Sequence, residues 1–159
     1  MRTGMLELTL AATPHNPTTE PRRGLAQTIL LTFAKPVNAA TVTITAGTAV
    51  AAAPTFNGNE VVVALTGVTD QQYVTISLSN VGSTDGGRGG TGSVRVGFLM
   101  GDVNQNRVVT VSDVGLTNAQ VALPVTLANF LMDINANGAL TVSDKGLANS
   151  AVTHALPLP

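Results

Sequence analysis

Two short runs of this chain place oxygen-bearing side chains at alternate positions. The first is Gly101 to Val121, GDVNQNRVVTVSDVGLTNAQV; the second is Met132 to Val152, MDINANGALTVSDKGLANSAV. They are offset by 31 residues, and 11 of the 20 positions from Asp102 to Val121 are identical in the second copy. A repeat this close in a short chain is a duplicated structural unit. What repeats is mostly oxygen chemistry. Alternating Asp and Asn in a tight loop can aim several oxygens at one point, which is what a hard cation with six to eight oxygen ligands requires.

Each copy reads as a twelve-residue loop of EF-hand type with ligands at positions 1, 3, 5, 7, 9 and 12. The first supplies Asp102, Asn104, Asn106, the carbonyl of Val108, Thr110 and Asp113. The second supplies Asp133, Asn135, Asn137, the carbonyl of Ala139, Thr141 and Asp144. The predicted cofactor is two calcium ions. The plainer reading is a pair of Asn/Asp-rich turns with helix caps, and duplication in register argues against it. The apolar residues at position 8, Val109 and Leu140, are expected to pair the two loops through a short strand contact. Two departures stand out. Position 12 is Asp rather than Glu, so the shell closes with a shorter arm. Position 6 is Gly138 in the second loop but Arg107 in the first, and a residue with a side chain at φ > 0 costs on the order of 1 kcal/mol. Two carboxylates per loop predict weak sites suited to calcium-rich extracellular fluid, with the first loop the weaker.

With each loop followed by one helix, GDVNQNRVVTVSD and MDINANGALTVSD resemble a type I dockerin over about Phe98 to Leu156. The resemblance implies a calcium-folded binding module, not an enzyme, that docks onto cohesins, which are β-sandwich domains. It also implies that recognition falls on the two residues before the position-12 Asp and on residues further along the helix. These are Val111, Ser112, Asn118 and Ala119 in the first copy, and Val142, Ser143, Asn149 and Ser150 in the second. The Val-Ser pair departs from the Ser-Thr common in cellulosomal dockerins.

The loops need elements to hold them. A first helix is expected from near Val111 to before Pro124, with Leu116, Ala119 and Val121 turned to a partner helix; a second from about Val142 to His154. Phe130 and Leu131 are the expected core anchors before the second loop. Gly115 and Gly146 lie inside these helices, where Gly costs about 1 kcal/mol against Ala. They are either tolerated or kept for close approach of another backbone.

Upstream, short alternating runs predict strands at Met5 to Leu10, Thr28 to Phe33, Thr41 to Thr45, Thr48 to Ala53, Glu60 to Leu65, Tyr73 to Leu78 and Ser93 to Leu99. Asn57-Gly58-Asn59 is a hairpin turn. Thr13 to Gly24, with Glu20, Arg22 and Arg23, reads as a solvated loop, and Gly82 to Gly92 as a glycine loop with no phosphate-binding ending. The fold class is therefore a mainly β, immunoglobulin-like antiparallel sandwich over 1–99 and a small helical calcium module over 100–159. Strand residues run to Leu99 and ligands start at Asp102, so no linker is expected between the two.

Charged residues make up 11% of the 159 residues, with a net charge of −1, which excludes a basic nucleic-acid face or polybasic anchor. Aromatics are 3%, with no Trp, so no stacking platform exists for bases or sugars. The absence of Cys removes thiol and disulfide chemistry. No apolar run has membrane-spanning length, and Met1 to Leu10 alternates, unlike a secretory leader. His15, His154, Asp70, Asp85, Glu7, Glu20 and Glu60 would have to converge to make a catalytic site; most of the carboxylates fall at turns, and the expectation is no enzyme. Two functions follow. One is an extracellular or cell-surface subunit of bacterial secreted type whose calcium module docks on the sandwich of the next copy, building a filament, tube or surface layer. Strand addition through Met5 to Leu10 would be a second route to it. The other is a dockerin-bearing module that binds a separate cohesin on a scaffold or cell surface.

Overall fold

The computed structural model describes residues 18–24 and 26–158; the predicted strand Met5 to Leu10, Glu7 and His15 lie outside them. The fold is mostly β, in two sheets, with two short helices. Its residues fall into two compact units, 18–23 with 70–72 and 96–158, and 24 and 26–69 with 73–95.

The second unit holds most of the strands. β1 (Thr19–Glu20) belongs to the other unit; β2 (Ala26–Thr32), β3 (Val37–Ala46), β4 (Val50–Ala51), β5 (Thr55–Asn57) and β6 (Glu60–Thr66) follow, and then β7 (Gln72–Ser83) and β8 (Gly90–Phe98). β6 pairs antiparallel with β2, β4 and β5, and β7 pairs antiparallel with β3. β3 also lies beside β4, β5 and β6 of the other sheet. Alternation decides which face is buried. Val61, Val63 and Leu65 of β6 are inside, as are Val74, Ile76 and Leu78 of β7, each contributing about 1.5–3 kcal/mol. Val42 and Ile44 of β3 are only half-buried. Asn57 pairs with Glu60 across Gly58-Asn59, so the predicted hairpin is present. The glycine stretch is shorter as a loop than expected: β7 runs to Ser83 and β8 starts at Gly90, leaving only the hairpin tip between them.

The first unit contains both repeats. α1 (Val111–Gln120) and α2 (Val142–Ser150) follow the two loops, and a 3₁₀ turn, Phe130–Met132, leads into the second. α2 is shorter than predicted. After Ala151 the chain turns through Thr153 at φ 83°, and the carbonyl of His154 accepts from Val109 N at 2.8 Å. The inward face of α1 is Asp113, Val114 and Thr117, not Leu116, Ala119 and Val121; Leu116 and Ala119 are exposed. Thr117 Oγ1 donates to the Asp113 carbonyl at 2.9 Å, which lets a polar residue take the buried position. Val103, Ile134 and Ala148 form a small core with Met100, Val114, Met132 and Leu147 around it. Phe130 is buried, as expected, and Leu131 half-buried.

The stretch read as a solvated loop is also different. Thr19 and Glu20 form β1, which runs parallel to the end of β8 through Thr19↔Gly97 and Glu20↔Phe98. Glu20 is buried, and both its oxygens are taken by Arg22, at 2.7 Å from Nε and 2.8 Å from Nη2. The Arg22 guanidinium stands 5.2 Å from the centre of the Phe130 ring. A bidentate pair over an aromatic ring is a built contact rather than a pair of solvated charges.

Candidate metal centre

The two loops adopt one geometry twice. In the first, Asp102 Oδ1 and Oδ2 accept from Asn106 N and Arg107 N, each at 2.9 Å. Asn104 Oδ1 accepts from Asn106 N and Asn106 Oδ1 from Val108 N, each at 3.0 Å. Asp113 Oδ1 accepts from Asn104 N at 3.3 Å, and its Oδ2 from Thr110 N at 2.9 Å and Thr110 Oγ1 at 3.1 Å. All seven bonds recur in the second loop between the residues 31 positions on, within 0.2 Å or less. Because Asp102 Oδ1 and Asn104 Oδ1 share one amide donor, they converge. Asp113 reaches back to the amide of position 3, so the short position-12 arm closes the loop from the helix side.

Local conformation explains how the sequence does this. Position 6 is left-handed in both loops, Arg107 at φ 74° and Gly138 at φ 84°. Position 4 is left-handed too, Gln105 at φ 61° and Ala136 at φ 54°, which sequence reading did not find. Repeated backbone reversals turn successive amides inward, where the Asp and Asn oxygens meet them. Thr110 and Thr141 are the N-caps of α1 and α2 in complete capping boxes with Asp113 and Asp144. The Thr-Val-Ser-Asp signature of that box is legible in both copies, in the same residues that carry the expected ligands at positions 9 and 12. The hydroxyl that would serve a cation also caps a helix.

Position 8 corrects an expectation. The loops do not pair with each other. Val109 exchanges bonds with the chain after α2, its carbonyl accepting from Thr153 N at 3.0 Å, while Leu140 O accepts from Ala122 N, after α1, at 2.9 Å. Ala122 and Thr153 are themselves equivalent repeat positions, so the module has two-fold pseudosymmetry in which each loop is tied to the tail of the other's helix.

Asp102, Asp113, Asp133 and Asp144 are all buried. The hydrogen bonds described above come to them from uncharged amides and hydroxyls. Burial pushes the Asp102 carboxyl above its usual range, against the opposing pull of the Arg107 and Asn106 amides. Buried carboxylates held by neutral donors are costly unless a positive charge joins them, and Arg22, the cation that acts on Asp133, is already paired with Glu20. An all-oxygen donor set of this kind fits calcium rather than a soft metal. Among the described residues no three or more His, Cys, Asp or Glu side chains form a metal cluster; each loop brings two carboxylates and would complete the shell with amide, carbonyl and hydroxyl oxygens.

The eight residues assigned to partner recognition, Val111, Ser112, Asn118, Ala119, Val142, Ser143, Asn149 and Ser150, are all exposed. Val111 and Val142 are 78% and 74% exposed, unusual for valine and nearly equal in the two copies. A Cβ added at Gly115 or Gly146 would meet no atom within 4 Å, so no close approach inside the chain requires these glycines. The acidic residues considered for catalysis have separate local partners. Glu20 pairs with Arg22, Glu60 accepts from Asn57, and Asp85 binds Lys35 and Ser83. Asp70 accepts from Met100 N at 2.7 Å and lies 3.2 Å from His154 Nδ1. Among the described residues no helix is long and apolar enough to cross a membrane. Comparison with protein families, curated proteins and solved structures finds no match.

Proposed function

We propose that this is a non-catalytic, extracellular calcium-binding assembly protein, in which a dockerin-like module carries two calcium ions and docks on an immunoglobulin-like sandwich of a neighbouring copy. The observation that carries the calcium part is the twofold recurrence of one hydrogen-bonded loop around buried carboxylates. Calcium would supply the charge those carboxylates need, held by the oxygens at positions 1, 3, 5, 7, 9 and 12 of each loop.

The immunoglobulin-like reading is supported by strand pairing. β6 sits between β2 and β4, β7 pairs with β3, and β8 follows β7, the two groupings that make the sheets of that sandwich. The docking part is supported by the exposed stripe Val111, Gly115, Asn118 and Ala119 and its repeat Val142, Gly146, Asn149 and Ser150. Low charge leaves little to oppose self-association. When such a face meets a different surface on an identical chain, the contact is heterologous and propagates into a filament or tube unless it closes.

Electron microscopy of the purified chain in millimolar calcium and in excess EDTA tests the reading. Ordered polymers that dissolve in EDTA are expected, and Asp102→Ala with Asp133→Ala should prevent them. Polymers unaffected by both changes would refute the calcium role. Monodisperse particles in calcium would instead favour the second reading, a module that awaits a separate cohesin.

A further inference from the structure

The sheet that holds β6 has an open side. Among the described residues β2 pairs only with β6, in register and without a shift from Ala26↔Thr66 to Thr32↔Glu60. An edge strand offers its outer row of N–H and C=O groups to any further strand, and proteins ordinarily blunt such an edge by shortness, charge, proline or a bulge. The other edges of this unit are blunted. β4 and β5 are two and three residues long. The register of β3 against β7 shifts between Val37 and Ala39, between Ala39 and Thr41 and between Ile44 and Ala46. β2, AQTILLT, is seven residues long and regular, with neither charge nor proline.

The inner face is also unfinished there. Gln27, Ile29 and Leu31 stand opposite Leu65, Val63 and Val61 on one face of the sheet. The three β6 residues are fully buried and Ile29 is buried, but Gln27 and Leu31 are half-buried. A strand laid along β2 with apolar residues at alternate positions would continue that face. The sequence supplies such a run before Thr18. In Met5 to Leu10, MLELTL, Leu6, Leu8 and Leu10 fall on one face, and the single charge, Glu7, falls on the other. Its length matches that of β2 to within one residue.

This run has no short hairpin to β2 of its own chain. Residues 18–23 come between them and belong to the other unit. There Thr18 O accepts from Gly97 N at 2.9 Å, Glu20 O from Leu99 N at 3.2 Å and Pro21 O from Gly101 N at 2.9 Å. Hairpin loops run to about 2–5 residues, whereas here residues 11–25 intervene and part of them is tied down. A strand from another copy meets no such constraint. Resting on the reading of the chain as an assembly protein, we infer that the free edge of β2 is a strand-addition site and that its occupant is Met5–Leu10 of a neighbouring copy. Backbone hydrogen bonds hold the added strand, and its leucines fix the register. Donor and acceptor are different surfaces of one chain, so the contact is heterologous and links copies head to tail, beside the link made by the calcium module.

The chain has no Cys, so introduced cysteines report contacts directly. Full chains carrying Glu7→Cys are mixed in millimolar calcium with chains carrying Ala26→Cys, Thr28→Cys or Thr32→Cys, exposed positions on the outer face of β2. A short bismaleimide joins them, and mass spectrometry identifies the product. Thr43→Cys, exposed on β3, is the control. The expected result is a link from position 7 of one copy to β2 of another and none to position 43. The link should be lost when the donor chain also carries Leu6→Lys and Leu8→Lys, which put charge on its apolar face. Polymers without the link, polymers linked equally to position 43, or a link that survives the lysines would overturn the inference and leave the assembly reading standing. So would a link inside one chain, seen when a Glu7→Cys, Thr28→Cys double variant closes on itself at high dilution. Monodisperse particles in calcium refute the assembly reading, and this inference with it.

Discussion

Replacing both helix glycines with alanine should stabilise the chain and weaken its assembly. Gly115 and Gly146 occupy the fifth position of α1 and α2, are exposed, and leave open space where a Cβ would stand. Nothing in the chain resists the added methyl group, so the intrinsic helix preference acts alone, about 1 kcal/mol at each site. The two sites lie on separate helices, and together they should add about 2 kcal/mol. With an m value of about 1–3 kcal/mol/M, that moves the urea midpoint of the helical signal up by roughly 1 M. Assembly should respond in the opposite direction. Each glycine lies in the middle of the exposed stripe, one helical turn from Val111 or Val142, so a partner packed on that face meets the new methyl. Overpacking costs typically 1–3 kcal/mol, which raises the threshold concentration for calcium-dependent polymers by about tenfold or more. Circular dichroism in urea reads the first effect and sedimentation in calcium the second. A more stable double variant that polymerises at the wild-type threshold would refute the docking face. A variant with no gain in stability would refute the account of both glycines as unhindered helix-interior residues.

Thr141→Ala removes the N-cap of α2 and one of the donors to Asp144, and should lower stability by about 1–2 kcal/mol in chemical denaturation; an unchanged midpoint would count against the capping geometry. Gly138→Ala puts a side chain at φ 84° with no steric relief needed elsewhere, so the expected loss of about 1 kcal/mol is purely conformational. The pH dependence should reverse with calcium. Burial raises the folded-state pKa of Asp102, so the folded state binds more protons than the unfolded one. Its contribution to calcium-free stability is therefore regained on acidification and lost as pH rises through the raised value. Calcium binding needs the ionised carboxylate and is weakened by acid. The rise in melting temperature on adding calcium should thus be smaller near pH 5 than near pH 7; a calcium increment independent of pH would contradict this coupling.

The loops were legible because their information is local. Asp, Asn and Thr at fixed spacing impose Asx-type turns and a capping box whatever surrounds them, and duplication at 31 residues gave the same message twice. The alternating strands Glu60–Thr66 and Gln72–Ser83 were legible for a similar reason, since a two-residue period leaves only one face that can be buried. The capping boxes were equally local, though their threonines were read only as ligands.

What the sequence did not reveal depends on partners distant in the chain. Nothing near Thr19 or Glu20 announces a strand, because β1 exists only through pairing with Gly97 and Phe98. Arg22 reads as a solvated charge until Phe130 and a buried Glu20 stand next to it. Val109 and Leu140 looked like partners, but each found the tail of the opposite helix, since the packing of α1 on α2 decides which carbonyls come within reach. Leu116 and Thr117 show the same limit on a single helix. Hydropathy favours burying the leucine, and the helix packing buries the threonine, whose hydroxyl is satisfied by the Asp113 carbonyl one turn back. Sequence by itself determined the oxygen sets and the elements that carry them; tertiary structure decided which faces meet, because contact between residues tens of positions apart leaves no periodic trace in either segment.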